Sequence, residues 1–491
     1  SGSGGGSGSG SGSGGGDAGG RRRRMSTSVA VLGEDGNSDG ARGAGPGDCG
    51  SNASARAGSG GWRADDASWA ADEIIQRAVW ARQQMRVPFY IYDSDSDSGF
   101  SLERELSALR PCVTRTDHPH VGDFWFIEAL ATHRWRTRSA HEASLIVLPV
   151  FLGIEAADLC KYRSTATLDA IRNTSTWRLR ERDHVLLATN WRVSVGPMPY
   201  KGVLLPSRQL VWAHYEAYSA SFDRSRTRNS WEASIIKDRQ RAGAMVAAPY
   251  MEHRGVEPRP SAKLNNTLAA GGGSGARDIR FFFGGYTARE HRGYETRWAM
   301  FRKRGAMPNG TVLIADPEQP VVPLPRCNSS LLAPRATAGA AGGRSDGVAA
   351  AGARVACTGR YVAARMVGRA VFALLPRGDT ATSRRLSDAM LYGAVPVILS
   401  DSYWVVGAPF RCVVPYRLFT AQVDERTFAR DPARALRAVD ALGPAAVSRM
   451  QDLIAFFRED LLWRSRQSRV AENVLIEAAR TLGKPGVCCP F

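Results

Sequence analysis

The residues best suited to chemistry lie between positions 371 and 401, in the stretch VFALLPRGDTATSRRLSDAMLYGAVPVILSD. An apolar run ends at a Pro-Arg-Gly turn, small hydroxylated residues follow, and a second apolar run begins after Gly393. This order predicts a strand, a helix and a second strand, with Thr380, Thr382 and Ser383 as candidate N-cap residues of the helix. Unpaired N–H groups and the positive end of the helix dipole attract phosphate, so the pattern predicts an anion site.

Charged side chains add to this predicted phosphate site. Arg377, Arg384 and Arg385 supply positive charge, and a guanidinium group binds two phosphate oxygens at once. Asp388 lies three residues after Arg385, on about the same helical face, where a carboxylate can accept hydrogen bonds from ribose hydroxyls. The pattern indicates a nucleotide site, and the alternative is a solvated helix end at which Arg385 and Asp388 pair with each other. The stretch has neither the P-loop pattern nor the GxGxxG pattern of a dinucleotide site.

Strand-like and helix-like stretches alternate on both sides of a linker-like segment. The predicted strands before the linker are 88–92, 141–151, 182–190 and 244–250. After the linker, further strands are predicted in IRFFFGG, TVLIADP, VFALLP and AVPVILSD. Alternation of this kind predicts parallel sheets covered by helices, so the fold class is α/β with two such units and a cleft between them.

The same composition shifts divide the chain into segments. The predicted divisions are a disordered Gly/Ser/Arg-rich segment at 1–65, an N-terminal domain at 66–262, a linker at 263–278, a C-terminal domain at 279–465 with a disordered insertion at 331–356, and a C-terminal helix and tail at 466–491.

Charge and cysteine usage narrow the class of protein. The net charge of +18 favours acidic partners, but the arginines are scattered and no aromatic-basic RNA motif occurs, so no nucleic-acid partner is predicted. The eight cysteines show no zinc-binding spacing, and no run of about 18 to 20 apolar residues occurs. Five sequons would permit glycosylation in a secretory compartment, where some cysteines could pair. They begin at Asn52, Asn173, Asn265, Asn309 and Asn328.

The segment PRGDTATSRRLSDAMLYGAVPVILSD at 376–401 resembles the nucleotide-sugar motif of the exostosin family of glycosyltransferases. Four other stretches resemble the family in the same order along the chain. They are YIYD at 90–93, ASLIVLPVF at 143–151, RDHVLLATN at 182–190 and FFFGG at 281–285. The resemblance covers roughly 85–480 and implies a GT-B fold, in which two Rossmann-like domains face an interdomain cleft. It places the acceptor mostly on the first domain and the nucleotide-sugar donor on the second.

The resemblance also implies the reaction and its donor residues. It implies an inverting, metal-independent transfer from a nucleotide-sugar, with a UDP-sugar expected, to a cell-wall or extracellular glycan or a glycoprotein, and no cofactor. Arg385 matches the arginine expected at the diphosphate, and Asp388 matches the acidic residue, often glutamate, expected at the ribose. The remaining donor-site candidates are Arg377, Gly378, Ser383 and Gly284.

The catalytic base is open between three candidates. Asp183 and His184 lie in the family-like RDH motif, and Asp93 ends the first predicted strand. In the alternative, Asp183 pairs with an arginine and His184 satisfies backbone groups. The family's related motif often continues to an acidic residue where this chain has Asn190.

The acidic stretch DSDSDSG at 93–99 is a candidate cation loop that we do not assign to a metal. Counted from Asp93, the EF-hand positions for glycine and glutamate hold Ser98 and Arg104. A GT-A enzyme would use such a DxD pair on its donor, but here the donor motif lies almost 300 residues later. The stretch is therefore predicted to be the loop after the first strand, facing the cleft.

Two other classes of function compete with an active glycosyltransferase: an inactive glycan-binding or scaffolding relative, and a nucleic-acid-binding protein driven by net charge. The retained Arg385 and Asp388 favour an active enzyme. By family resemblance we expect the Golgi lumen, membrane association through an N-terminal anchor that this sequence does not contain, and association with related glycosyltransferases.

Overall fold

The protein is described from a computed structural model. The described residues are 71–93, 100–190, 210–217, 244–253, 277–285, 295–315, 353–357, 363, 366–378, 380–487 and 489–491. The predicted disordered segment at 1–65, most of the linker at 263–278, most of the insertion at 331–356 and most of the acidic loop at 93–99 lie outside them.

The described strands before the linker form one parallel sheet. They are β1 (Phe89–Ile91), β2 (Leu145–Val147), β3 (His184–Leu187), β4 (Val211–His214) and β5 (Ala244–Ala247), and they lie side by side in that order. β2, β3 and β4 are buried along their whole length, as expected for parallel strands that are covered on both faces. The sequence did not predict β4, because its apolar run is short and ends in His-Tyr-Glu.

Helices cover this first sheet. They are α1 (Ala71–Gln84), α2 (Leu102–Val113), α3 (Gly122–Ala131), α4 (Leu152–Ala156), α5 (Thr165–Arg172) and α6 (Ser175–Arg180). Ser101 caps α2 and Thr174 caps α6 through their side-chain oxygens, which accept the N–H groups that a helix start leaves without a partner.

The described strands after the linker form a second parallel sheet. They are β6 (Ile279–Gly285), β7 (Thr311–Ala315), β8 (Arg354–Cys357), β9 (Ala370–Pro376), β10 (Val395–Leu399) and β11 (Ala421–Gln422). Their order is β11-β10-β9-β6-β7-β8, so the chain builds outward from β6 on one side and then returns to its other side at β9. This is the Rossmann strand order, and the crevice at the carboxyl ends of β6 and β9 is its switch point.

The helices after the linker are α7 (Glu295–Arg302), α8 (Arg385–Tyr392), α9 (Glu425–Arg430), α10 (Pro432–Asp440), α11 (Pro444–Phe457) and α12 (Val470–Thr481). Asp424 and Asp431 cap α9 and α10, and Pro432 occupies the first turn of α10, where it needs no N–H partner. α8 ends at Gly393, whose φ of 69° is left-handed and turns the chain directly into β10. None of the described helices combines the length and apolar composition that a membrane span requires.

The two domains share helices and a core. α12, at the end of the sequence, crosses back to pack on β4, β5 and α3 of the first domain, while α1 packs on α11 of the second. Arg82 of α1 pairs with the buried Asp460 at 2.6 Å. The predicted α/β class with two parallel-sheet domains is confirmed, and the helix in 466–491 belongs to the packing of the first domain.

Two disulfides join cysteines of the described part. Cys112 at the end of α2 is bonded to Cys160, which follows α4. Cys412 is bonded to Cys489 and ties the end of the sequence to the second domain.

Candidate active site

The two sheets meet through residues that follow the carboxyl ends of their strands. Glu216 follows β4, and its Oε1 accepts hydrogen bonds from the hydroxyls of both Thr380 and Thr382 in the turn after β9. Beside it, the hydroxyl of Ser387 in α8 donates to the carbonyl of Tyr250, at 2.7 Å. Since ligands of parallel α/β sheets bind at the carboxyl ends of strands, this meeting places both binding edges at one interdomain cleft.

Arg385 lies at the switch point of the second sheet. It is the first residue of α8, and its Nε donates to the carbonyl of Gly284, the second-last residue of β6, at 2.7 Å. Its Nη1 donates to the hydroxyl of Ser383 at 3.0 Å, and its guanidinium lies 4.8 Å from the ring centroid of Phe283. These contacts hold the guanidinium across the crevice between β6 and β9, next to the amino end of a helix. The predicted donor residues Gly284, Ser383 and Arg385 are thus brought together.

Gly285 makes room for this arginine. Its φ is 154°, a value that side chains rarely adopt, and a Cβ at this position would lie 1.5 Å from Nη2 of Arg385. A residue without a side chain is therefore required where the end of β6 meets the guanidinium.

Arg377 and Gly378 form the turn that leads from β9 to α8. The amide of Arg377 donates to Leu399 of β10 at 3.2 Å, and its carbonyl accepts from Nε of Arg297 in α7 at 2.9 Å. The amide of Gly378 donates to the carbonyl of Thr382 at 3.3 Å, which closes the turn. Arg377 is buried, with 2% of the residue exposed, and its backbone amide and carbonyl hold the turn in place.

The start of α8 differs from the prediction. The helix begins at Arg385 with Arg384 in the N-cap position, and the hydroxyls of Thr380 and Thr382 reach Glu216 instead of capping the helix. Of the three predicted caps, Ser383 alone accepts a bond from the helix start, at 3.4 Å from the amide of Arg385. The carbonyl of Ser383 also accepts the amide of Leu386 at 3.2 Å, so Ser383 satisfies the first two amides of α8.

Arg384, a predicted source of positive charge for phosphate, contacts the first domain in this structure. Its Nη2 pairs with Asp117 at 3.1 Å and donates to the carbonyl of Glu252 at 2.7 Å. Asp117 also pairs with Arg464 at 3.4 Å. The carboxylate of Glu252 accepts the amides of Trp463 and Arg464 at 3.0 and 2.6 Å, and burial raises the pKa of this carboxyl. This network fixes the first domain against the start of α8.

Asp388 lies in the first turn of α8 and is 5% exposed. Its Oδ1 lies 2.7 Å from Nδ1 of His253, which belongs to the segment after β5. The predicted ribose acid therefore stands at the interdomain contact, one helical turn from Arg385.

The structure does not bring Asp183 and His184 to the cleft. Both lie at the amino end of β3, and in a parallel sheet this edge is opposite to the binding edge. Asp183 pairs with Lys484 at 2.5 Å and with Arg180 at 2.6 Å, and these cations lower its pKa although burial opposes them. Nε2 of the buried His184 lies 2.9 Å from the hydroxyl of Tyr92, and burial lowers its pKa to about 4. The geometry favours the alternative in which both residues serve local charge pairing and hydrogen bonding.

Asp93 follows β1 at the binding edge of the first sheet, but on its outermost strand. Its carboxylate pairs with Arg136 at 2.6 Å. The residues 94–99 that follow lie outside the described part of the chain, so the prediction of a cleft-facing loop there is not tested. Within the described ranges, no group of three or more His, Cys, Asp or Glu side chains is arranged to hold a metal ion.

The sequence reasoning missed a cluster on the first-domain side of the cleft. His120 precedes α3, and its Nδ1 lies 2.6 Å from the carbonyl of Thr189, which follows β3. The ring of Tyr215, which follows β4, stacks on it with centroids 5.6 Å apart. Asp123 is fully buried and accepts the amide of Gly153 at 2.6 Å, and burial raises its pKa to about 7. Two signals were available: the stretch DHPHVGD before a helix, and the polar end of the run VWAHYE.

The fold and site define a glycosyltransferase of the GT-B type, in which two Rossmann-like domains face each other across a cleft. The turn after β9, Arg385 at the amino end of α8 and Asp388 one turn later lie on the second-domain side of this cleft. The chain belongs to the exostosin GT47 family, because the exostosin GT47 domain matches residues 83–439, more than half of the chain.

Comparison with solved structures gave matches of low similarity, among them three glycosyltransferase-related chains. HepE of Anabaena in complex with UDP-glucose is 11% identical, with a TM-score of 0.32, and the alignment covers 81% of this chain and 99% of HepE. The spinosyn rhamnosyltransferase SpnG is 12% identical, with a TM-score of 0.28, and the alignment covers 75% of this chain and 96% of SpnG. The glycotransferase of kitacinnamycin is 11% identical, with a TM-score of 0.26 over 81% and 99% of the two chains. Comparison with curated proteins gave no significant match.

Proposed function

We propose that this glycosyltransferase moves a sugar from a nucleotide-sugar, with a UDP-sugar as the expected donor, to a glycan or glycoprotein acceptor with inversion of the anomeric carbon. The observation that carries the proposal is the position of Arg385, whose guanidinium bridges the ends of β6 and the turn after β9 at the amino end of α8. A diphosphate placed in this crevice would meet the guanidinium of Arg385 and the positive end of the α8 dipole.

The chemistry that this site supports is stabilisation of a leaving group. Negative charge grows on the nucleotide diphosphate as its bond to the sugar breaks, and fixed donors aimed at that charge lower the barrier. Arg385 is fixed by Gly284, Ser383 and the face of Phe283, so it needs little reorganisation during the reaction. The proposed mechanism requires no cofactor.

Asp388 is proposed to accept hydrogen bonds from the ribose of the donor. Its carboxylate already contacts the imidazole of His253. A bound nucleotide would therefore either share the carboxylate with His253 or take the place of His253. Aspartate is one methylene shorter than the glutamate common in the family, and the contact with His253 holds its carboxylate in place.

We also propose that the protein works in the Golgi lumen, as its family suggests. Disulfides form and persist in oxidising compartments, and the bonds Cys112–Cys160 and Cys412–Cys489 support a secretory location. Fractionation of cells that express the tagged protein tests this, and recovery in the cytosol with reduced cysteines would contradict it.

The experiment for the reaction is a screen of UDP- and GDP-sugars for hydrolysis and transfer, followed by NMR assignment of the product anomer. With the active donor, Arg385→Ala is expected to lower turnover by about 100-fold or more. Arg385→Lys should recover only part of this loss, because an ammonium keeps the charge without the two-pronged geometry.

The matched control is Arg426→Ala, since Arg426 is exposed on α9 of the same domain. It should turn over at the wild-type rate. A product of retained configuration would refute inversion, and an Arg385→Ala protein with wild-type turnover and an unchanged melting temperature would refute the donor site.

A further inference from the structure

The loop before α3 holds His120 in one orientation at the binding edge of the first sheet. The hydroxyl of Tyr215 donates to the carbonyl of Pro119, and the Tyr215 ring stacks on His120. The other face of Tyr215 is supported by Tyr250, with ring centroids 3.5 Å apart. The imidazole is therefore positioned by residues that follow β4 and β5, as well as by its own loop.

The hydrogen bond to Thr189 fixes which nitrogen of His120 is basic. A carbonyl oxygen can only accept, so Nδ1, at 2.6 Å from it, carries the proton and Nε2 carries the lone pair. Burial first, and then the nearby His118 and His214, lower the pKa of His120 to about 3. The imidazole is thus neutral at physiological pH, and Nε2 is unprotonated.

This loop also contacts the donor side of the cleft. Asp117, three residues before His120, pairs with Arg384, the residue directly before Arg385. His120 therefore lies on the segment of the first domain that adjoins the amino end of α8. Glu216, another ionisable group near His120, accepts hydrogen bonds from the hydroxyls of Thr380 and Thr382 and is less available to a substrate.

From this geometry we infer that His120 is the general base of the transfer, with Nε2 accepting the proton of the acceptor hydroxyl. The inference rests on the proposed inverting reaction. The acceptor oxygen forms a bond to the anomeric carbon while the bond from that carbon to the diphosphate oxygen breaks. The bonding electrons leave with the diphosphate, the proton moves to Nε2, and the resulting imidazolium returns it to solvent. The fixed tautomer at Thr189 makes Nε2 the nitrogen that does this.

His120→Asn is the sharpest test. The Asn side-chain amide can occupy the place of Nδ1 and keep the bond to Thr189, while the basic Nε2 is removed. We expect kcat for transfer to fall by about 100-fold to 10,000-fold, the range for loss of a general base, with UDP affinity within about twofold of wild type. His120→Ala should lose as much, and added imidazole should restore part of its rate.

The matched control is His141→Ala, because His141 is exposed on the first domain, and its rate should be unchanged. If His120 has only a structural role, the kcat of His120→Asn stays near the wild-type value, and added imidazole does not restore the activity of His120→Ala. Either result overturns the inference. Those results leave the proposed function intact as long as the wild-type protein transfers sugar. An absence of transfer by the wild-type protein from any donor overturns both.

Discussion

Gly285→Ala tests the site without changing any residue proposed to touch the substrate. The new Cβ would lie 1.5 Å from Nη2 and 2.7 Å from Cζ of Arg385, whereas ordinary contact begins near 3.4 Å. Either the guanidinium or the end of β6 must therefore move by about 2 Å. A displacement of about 1 Å at a catalytic group can lower the rate by about 100-fold, so we expect turnover to fall by at least this factor.

The same substitution also lowers stability, and this effect must be separated from the effect on turnover. A side chain at a φ of 154° costs about 1 to 3 kcal/mol in the free energy of unfolding. Gly483→Ala is the control for a side chain at positive φ, because Gly483 has a φ of 64° and no atoms near its added Cβ. Gly305→Ala, also with open space, controls for the loss of a glycine alone.

The assay combines steady-state transfer, UDP binding by calorimetry and thermal unfolding of all three variants. We expect Gly285→Ala alone to lose activity at a temperature where every variant remains folded. Wild-type turnover by Gly285→Ala would show that the position of Arg385 is not critical, and the proposed donor site would then be refuted. Equal losses in Gly483→Ala would attribute the effect to backbone strain in general.

Two further predictions concern stability. Replacing Cys112 and Cys160 with alanine should lower the free energy of unfolding by about 4 kcal/mol, because the bond closes a loop with a sequence separation of 48. Urea unfolding under oxidising conditions measures this, and an unchanged midpoint would contradict it. Burial lowers the pKa of His184 from 6.5 to about 4, so protonation favours the unfolded chain, and up to about 3 kcal/mol of stability is lost as pH falls through this interval. His184→Gln should unfold with a weaker pH dependence, whereas an identical dependence would rule out this role.

The elements of the proposed donor site could be predicted from sequence because their signals are local. The apolar run, the turn, the helix and the glycine that ends it follow one another within 371–401, and β9, α8 and β10 appear in that order. What the segment could not reveal is which arginine faces the crevice. Arg384 and Arg385 are adjacent and differ by about 100° around the helix. Their partners, Asp117 and Gly284, lie far away in the sequence.

The acceptor side was harder to predict because it is assembled from loops that are distant in the sequence. His120, Thr189 and Tyr215 come from three connections and meet only once the strands pair. The RDH motif led to the prediction of Asp183 and His184 as catalytic residues, but both lie at the amino end of β3. Strand direction favours the residues at the other end, such as Thr189 and Asn190. The acidic loop after β1 stays a prediction.

The return of α12 to the first domain has a consequence for biosynthesis. A ribosome releases Val470–Thr481 only after both sheets have been made, yet this helix covers β4, β5 and α3. Domains usually fold as they emerge, with the N-terminal one first. Here the first domain is synthesised first but completed last, because the surface that α12 covers stays uncovered until the second domain has been synthesised. Cleavage of the chain between the two sheets would likewise leave the first domain without the helix that completes it.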